Sequence, residues 1–185
     1  MSFERLSSTP AASRLYHDVV SDLMIHDIAI ALHLLDQNGE APEGSVEAAV
    51  ARADTIASPD PARASVRFGD VDAHFRASRA YPAGKVRRAV VETDNRIFTA
   101  DLLTRSLYAT SANTAAFTPE GVLTEETFTR RYFPQESQQP LTLEQKAFLD
   151  CIRGIQDVSD TSVSMWHASR VLRLTRRVLV SLETS

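Results

Sequence analysis

The chain has 185 residues, of which 43% are hydrophobic, and a formal net charge of −4 at pH 7. This length fits one domain with its own core, and the acidic balance argues against general binding to nucleic acid or to anionic membranes. A single cysteine, Cys151, excludes an internal disulfide and a multi-cysteine zinc site. With neither a secretory leader nor a long apolar run in the sequence, we expect a cytoplasmic protein.

The first elements are a short candidate strand at residues 2–7 and a loop at residues 8–17. Residues 18–36 predict the first strong helix, because apolar residues recur around much of its circumference. Gln37-Asn38-Gly39 supplies a C-terminal stop for this helix. Residues 46–54 are ambiguous, since alanines blur an otherwise strand-like alternation.

The middle of the chain has strand periodicity. Residues 62–68 and 71–78 alternate between apolar and polar side chains, and Gly69-Asp70 separates the two runs. Such a two-residue connection predicts an antiparallel hairpin. Further strand candidates follow at residues 86–92, at 96–103 and, with a weaker pattern, near 105–110.

The last third of the chain changes character. Residues 111–140 are punctuated by turn residues and predict an excursion or a mobile loop. Thr142 with Gln145 then forms a capping-box pattern at the start of a helix that Gly154 would end. A final helix is predicted over residues 161–182.

The order of these elements indicates the fold class. A helix, five or six strands and two helices do not form the alternating pattern of a parallel sheet, so we predict the α+β class. The expected sheet is open and largely antiparallel, with helices packed on one face, and residues 1–185 form one domain. No Gly-x-Gly-x-x-Gly occurs among the six glycines, so a dinucleotide cradle is not expected in these residues.

Asp22 and His26 are the main candidates for chemistry. Their spacing places both side chains on one helix face, one turn apart. The carboxylate can accept a hydrogen bond from the imidazole and set its proton affinity, which suits acid–base work. The alternative is a partly buried polar pair with a purely structural role. His33 lies about 10.5 Å further along the axis, too far to share a metal ion, so no metal site is predicted.

Several segments together resemble a known family. Asp18-Val-Val-Ser-Asp-Leu-Met-Ile-His-Asp-Ile28 resembles the C-terminal domain of the Gfo/Idh/MocA oxidoreductases. Residues 60–79, which end in Ala-Ser-Arg, resemble a hairpin of that domain, and residues 140–154 and 162–182 resemble its last two helices. The resemblance covers nearly the whole chain and is closest to the branch that includes UDP-N-acetylglucosamine 3-dehydrogenases.

The resemblance implies specific roles. In this family an N-terminal Rossmann domain binds NAD(P), and sugars or nucleotide sugars are oxidised by hydride transfer. Asp22 and His26 match the family's Asp-x-x-x-His and would hold a sugar hydroxyl and assist its deprotonation, while Arg79 would bind substrate. The lysine that the Rossmann domain normally contributes has no counterpart here. Ala29 stands where the closest branch usually carries an acid, a departure that bears on substrate recognition.

The leading hypothesis is therefore the C-terminal domain of an NAD(P)-dependent sugar or nucleotide-sugar dehydrogenase, inactive alone because its cofactor-binding half is absent. Alone it would bind no cofactor; NAD(P) is expected if a partner supplies a Rossmann domain. Other expected partners are a second copy, bound through the open sheet face, and a sugar or nucleotide sugar. One alternative is a non-catalytic oligomerisation or binding module. Another is a small-molecule binder that kept the pocket and lost the chemistry.

Overall fold

The computed structural model describes residues 1–8, 18–36, 44–51, 60–111, 128–132, 140–155 and 165–183. The strands in these residues are β1 (Ser2–Leu6), β2 (Ser45–Ala51), β3 (Ala62–Phe68), β4 (Val71–Ser78), β5 (Val86–Glu92), β6 (Arg96–Asp101), β7 (Ser106–Ser111) and β8 (Phe128–Tyr132). They form one sheet in the order β2-β3-β4-β1-β5-β6-β7-β8. β1 and β4 run parallel, and the other neighbours are antiparallel.

Three helices accompany the sheet: α1 (Ile25–Leu35), α2 (Pro140–Ile152) and α3 (Met165–Glu183). A π-helical turn, Val20–Met24, leads directly into α1. α1 and α3 pack against each other, α1 lies against β1 and β4, and α3 lies against β2. The predicted α+β class with a largely antiparallel open sheet is confirmed. Within the described ranges, no helix is long and apolar enough to cross a bilayer.

Two predicted strand boundaries and one predicted loop need correction. β2 covers Ser45–Ala51, and a bulge between Val46 and Ala48 shifts its register on β3, which explains the blurred alternation. β6 ends at Asp101 and not at residue 103, because the Asp101 carboxylate accepts hydrogen bonds from the Leu103 and Thr104 amides in a turn. The expected loop at residues 111–140 contains β8, and the rest of that segment lies outside the described residues, apart from Ser111 and Pro140.

The core lies between the sheet and the pair α1 and α3. Phe3 of β1 stacks on Phe75 of β4 with ring centroids 5.2 Å apart. Most of the other buried apolar side chains come from β3, β4, the π-helical turn, α1 and α3. The largest that are fully buried are Phe68, Met24, Ile28, Leu32, Val19, Val20, Val66 and Val178. Gly44 is required for close approach, since a Cβ there would lie 2.5 Å from Phe68 Cε1.

A buried ion pair ties α1 to the sheet. Arg5 of β1 is 8% exposed and Asp27 of α1 is 3% exposed. The Arg5 Nε and Nη2 atoms donate to Asp27 Oδ1 at 3.1 and 2.8 Å. Because both groups are desolvated, removing either one would leave an unpaired buried charge and lower the stability of the fold.

The opposite face of the sheet is polar around β1, β3 and β4. Arg76 Nη1 lies 3.2 Å from Glu4 Oε1, and Ser65 Oγ lies 3.0 Å from His74 Nδ1. Alternation along each strand separates these residues from the core side. Chemistry that depends on α1 therefore belongs to the helix-covered face.

Replacing Arg5 by methionine should lower the free energy of unfolding by about 3 kcal/mol at neutral pH, because the Asp27 carboxylate would stay buried without its partner. The matched control is Arg67→Met, which breaks an ion pair with Asp72 whose side chains are 51% and 50% exposed. The control should lose less than about 1 kcal/mol. Urea unfolding followed by circular dichroism measures both values.

The loss in the free energy of unfolding caused by Arg5→Met should also become smaller as the pH is lowered. Burial raises the pKa of Asp27 while Arg5 opposes that rise, so the variant would protonate this carboxyl more readily. An Arg5→Met loss as small as that of Arg67→Met would show that the buried pair does not hold α1 in place.

Candidate functional site

The candidate site lies where β1 and β4 end side by side. Because these two strands are parallel, their C-terminal residues, Leu6 and Ser78, lie side by side. The first residue of β5, Val86, lies opposite Leu6 at the same end of the strands. The π-helical turn contacts β4. This packing brings the start of α1, which carries the Asp22 and His26 region, to the strand ends.

Arg79 lies just beyond β4 and joins two carboxylates. Its Nη1 is 3.5 Å from Asp22 Oδ2, and its Nε is 3.8 Å from Asp60 Oδ2. Its backbone N–H donates to Asp60 Oδ2 at 2.9 Å, and the Ser78 hydroxyl donates to Asp60 Oδ1 at 2.8 Å. Because the Arg79 side chain is only 6% exposed, this arrangement holds Asp22 in position. The role of Arg79 in substrate binding stays a prediction.

His26 is exposed beside this cluster. Among the described residues its ring has no hydrogen-bond partner, and the Asp22 carboxylate is directed to Arg79. The hydrogen bond from the imidazole to Asp22 that the sequence suggested is therefore not formed. His26 is exposed at the start of α1, and the Asp22 carboxylate, itself 25% exposed, is near enough to raise the pKa of its imidazole.

The surroundings of His26 lower the pKa of its imidazole, which favours the neutral form. Partial burial lowers the pKa of the imidazole, and the positive charges of Arg5 and Arg87 lower it further. The carboxylates of Asp27 and Asp22 oppose this shift without cancelling it. A neutral imidazole can accept a proton, and the Asp22 carboxylate favours the imidazolium that would form, so the role of His26 as a base stays a prediction.

Sequence reasoning missed Arg5, Asp60 and Arg87 as members of this site. The signal for Arg5 was present, because it alternates with Phe3 and therefore points toward the core, where a charged side chain needs a partner. Asp60 precedes β3 and gave no comparable signal. Within the described part of the chain, no group of three or more His, Cys, Asp or Glu side chains could hold a metal ion.

Comparison with solved structures finds dehydrogenases. UDP-N-acetylglucosamine 3-dehydrogenase GnnA from Acidithiobacillus ferrooxidans superposes with a TM-score of 0.76 at 25% identity, covering 99% of this chain and 54% of that one. The dehydrogenase MviM from Clostridium difficile gives 0.70 at 11% identity, covering 98% and 54%. Levoglucosan dehydrogenase, solved with NADH and levoglucosan, gives 0.67 at 13% identity, covering 100% and 57%.

These neighbours are Gfo/Idh/MocA-type dehydrogenases, so the resemblance found in the sequence is confirmed at the level of the fold. The chain spans about half the length of the structures that it matches. No protein-family model and no curated protein sequence matches it.

The imidazole of His26 should titrate below the ordinary histidine pKa of about 6.5. Asp22→Asn should lower this pKa further, because the lost carboxylate favours the imidazolium. Asp72→Asn, on the β3–β4 hairpin, is the control and should leave it unchanged. NMR titration of the histidine ring protons, with His26→Gln to assign the signal, measures all three values. A His26 pKa above 6.5 in the unaltered chain would contradict the electrostatic account.

Proposed function

We propose that this chain is the substrate-binding half of an NAD(P)-dependent dehydrogenase that oxidises a hydroxyl of a sugar or nucleotide sugar. The observation that supports the proposal is an exposed histidine, His26, whose pKa is lowered, in the electrostatic reach of a carboxylate, Asp22, that Arg79 holds in place. The neighbours support the reaction class, since they are NAD-dependent oxidoreductases. A nucleotide-binding unit, in the same polypeptide or in a partner, would complete the enzyme.

In the proposed reaction His26 accepts the proton of the sugar hydroxyl while the adjacent C–H bond delivers hydride. NAD(P), held by the nucleotide-binding unit, supplies the hydride acceptor. Asp22 accepts a hydrogen bond from the substrate and stabilises the positive charge that develops on His26. Arg79 and Asp60 keep the Asp22 carboxylate in place, so little reorganisation is needed when this charge forms.

The same proposal assigns an assembly role to the sheet. A second copy would pack on the face away from α1 and α3, where the ion pair between Arg76 and Glu4 lies. Such an interface would be more polar than an obligate dimer core. The alternative of a purely non-catalytic module predicts assembly without any effect of His26 on chemistry.

A chimera tests the catalytic proposal. The chain would be fused behind the nucleotide-binding half of the Acidithiobacillus ferrooxidans enzyme, and NAD reduction would be followed with UDP-N-acetylglucosamine. We expect turnover, and we expect His26→Gln to lower kcat by at least about 100-fold, as loss of a general base does. His74→Gln is the control, because His74 is exposed on the opposite face of the sheet. Equal activity of the two variants would refute the role of His26.

The chain alone should not bind NAD or NADH, because its sequence has no dinucleotide-binding fingerprint. Titration with both cofactors, followed by protein and cofactor fluorescence, checks this expectation, and light scattering on the same sample gives the oligomer mass. Saturable NADH binding would contradict the proposal that a separate nucleotide-binding unit holds the cofactor.

A further inference from the structure

Arg87, near the start of β5, lies on the same side of the sheet as the site. In the antiparallel pairing of β1 with β5, Arg87 is opposite Arg5, and Ala89 is opposite Phe3. Residues opposite each other in a ladder share a face, and Ala89 is buried in the core with Phe3. Arg87 therefore projects from the helix-covered face, on the side of α1 and His26.

Its neighbour Arg88 provides the contrast. It is opposite Glu4 on β1 and opposite Asp101 on β6. Because successive side chains of a strand alternate, Arg88 projects from the other face. Both arginines are exposed, but they occupy opposite faces of the sheet, and only Arg88 stands opposite carboxylates.

Arg87 stands opposite another arginine, Arg5, in the ladder. Like charges repel in such positions, and the Asp27 carboxylate that pairs with Arg5 offsets part of this repulsion. Arg5 is committed to Asp27, and Arg79 contacts Asp22 and Asp60. Among the described residues, Arg87 forms no ion pair with a carboxylate, and its charge lowers the pKa of both His26 and Asp27.

Most exposed arginines are solvated surface residues without a specific role. Two observations favour a ligand-binding role for Arg87. The guanidinium projects from the face of the sheet on which His26 lies, and it forms no ion pair with a carboxylate of the described residues. The cation at Arg87 and the anion at Asp22 are both close enough to His26 to influence its charge.

We propose that Arg87 is a specificity-determining residue that binds an anionic group, a phosphate or a carboxylate, carried by the sugar whose hydroxyl meets His26. This inference rests on the proposed function and narrows its substrate class from sugars in general to anionic sugars. A guanidinium suits either group, because its planar donors can form paired hydrogen bonds with two oxygens.

The test uses the purified chain and three probes that differ only at C6, which are glucose, glucose 6-phosphate and glucuronate. Dissociation constants are measured from the His26 ring signals by NMR, in the unaltered chain and in the variants Arg87→Gln and Arg88→Gln. We expect one anionic probe to bind at least about tenfold more tightly than glucose, a difference that Arg87→Gln abolishes and Arg88→Gln preserves. The anionic probe that binds more tightly than glucose shows whether the site prefers a phosphate or a carboxylate.

Folding does not confound this comparison, because removing a like charge opposite Arg5 should not weaken the sheet. If glucose perturbs His26 as strongly as either anion, or if the two arginine variants behave alike, the role of Arg87 is refuted while a sugar site at His26 stands. If none of the three probes perturbs His26, the proposed function fails and the anionic preference fails with it.

Discussion

The ion pair between Arg5 and Asp27 is the interaction on which the site depends. It joins β1, at the centre of the sheet, to α1, which carries His26 and directly follows the π-helical turn that carries Asp22. Both charged groups of the pair are buried. Apolar packing alone would allow α1 to slide or rotate on the sheet, since hydrophobic contacts have little directionality. A two-donor contact to one carboxylate oxygen fixes the start of α1, and thereby fixes His26 and Asp22 at the strand edge.

The charges around His26 have separate roles. Arg5 compensates the buried Asp27, and Arg79 anchors Asp22 with the help of Asp60. The imidazole is left neutral and accessible, the state required of a group that must take a proton. In the proposed reaction His26 would act as the base and Asp22 as the stabilising anion, while a separate unit would hold the hydride acceptor.

Much of this fold could be predicted from the sequence because period-two alternation is strong in β3, β4 and β5, and because α1 is apolar around most of its surface. β2 was ambiguous for a physical reason, since a bulge breaks the alternation on which such a prediction relies. β8 was missed because its residues, Phe128–Tyr132, combine one phenylalanine and one tyrosine with two arginines and a threonine, and pairing with β7 stabilises them as a strand. The spacing of Asp22 and His26 was visible, whereas the partner of Asp22 was not, because Arg79 is 57 residues away and only strand pairing brings it near.

The most direct test of the account is a crystal structure of the chain, joined to a nucleotide-binding half, with a nucleotide sugar bound. The quantity to measure is the distance from the nearer ring nitrogen of His26 to a sugar hydroxyl. The account predicts hydrogen-bond reach, about 2.6–3.2 Å, with the Asp22 carboxylate contacting the same sugar. A sugar bound away from the C-terminal ends of β1 and β4, with His26 facing solvent, would contradict it.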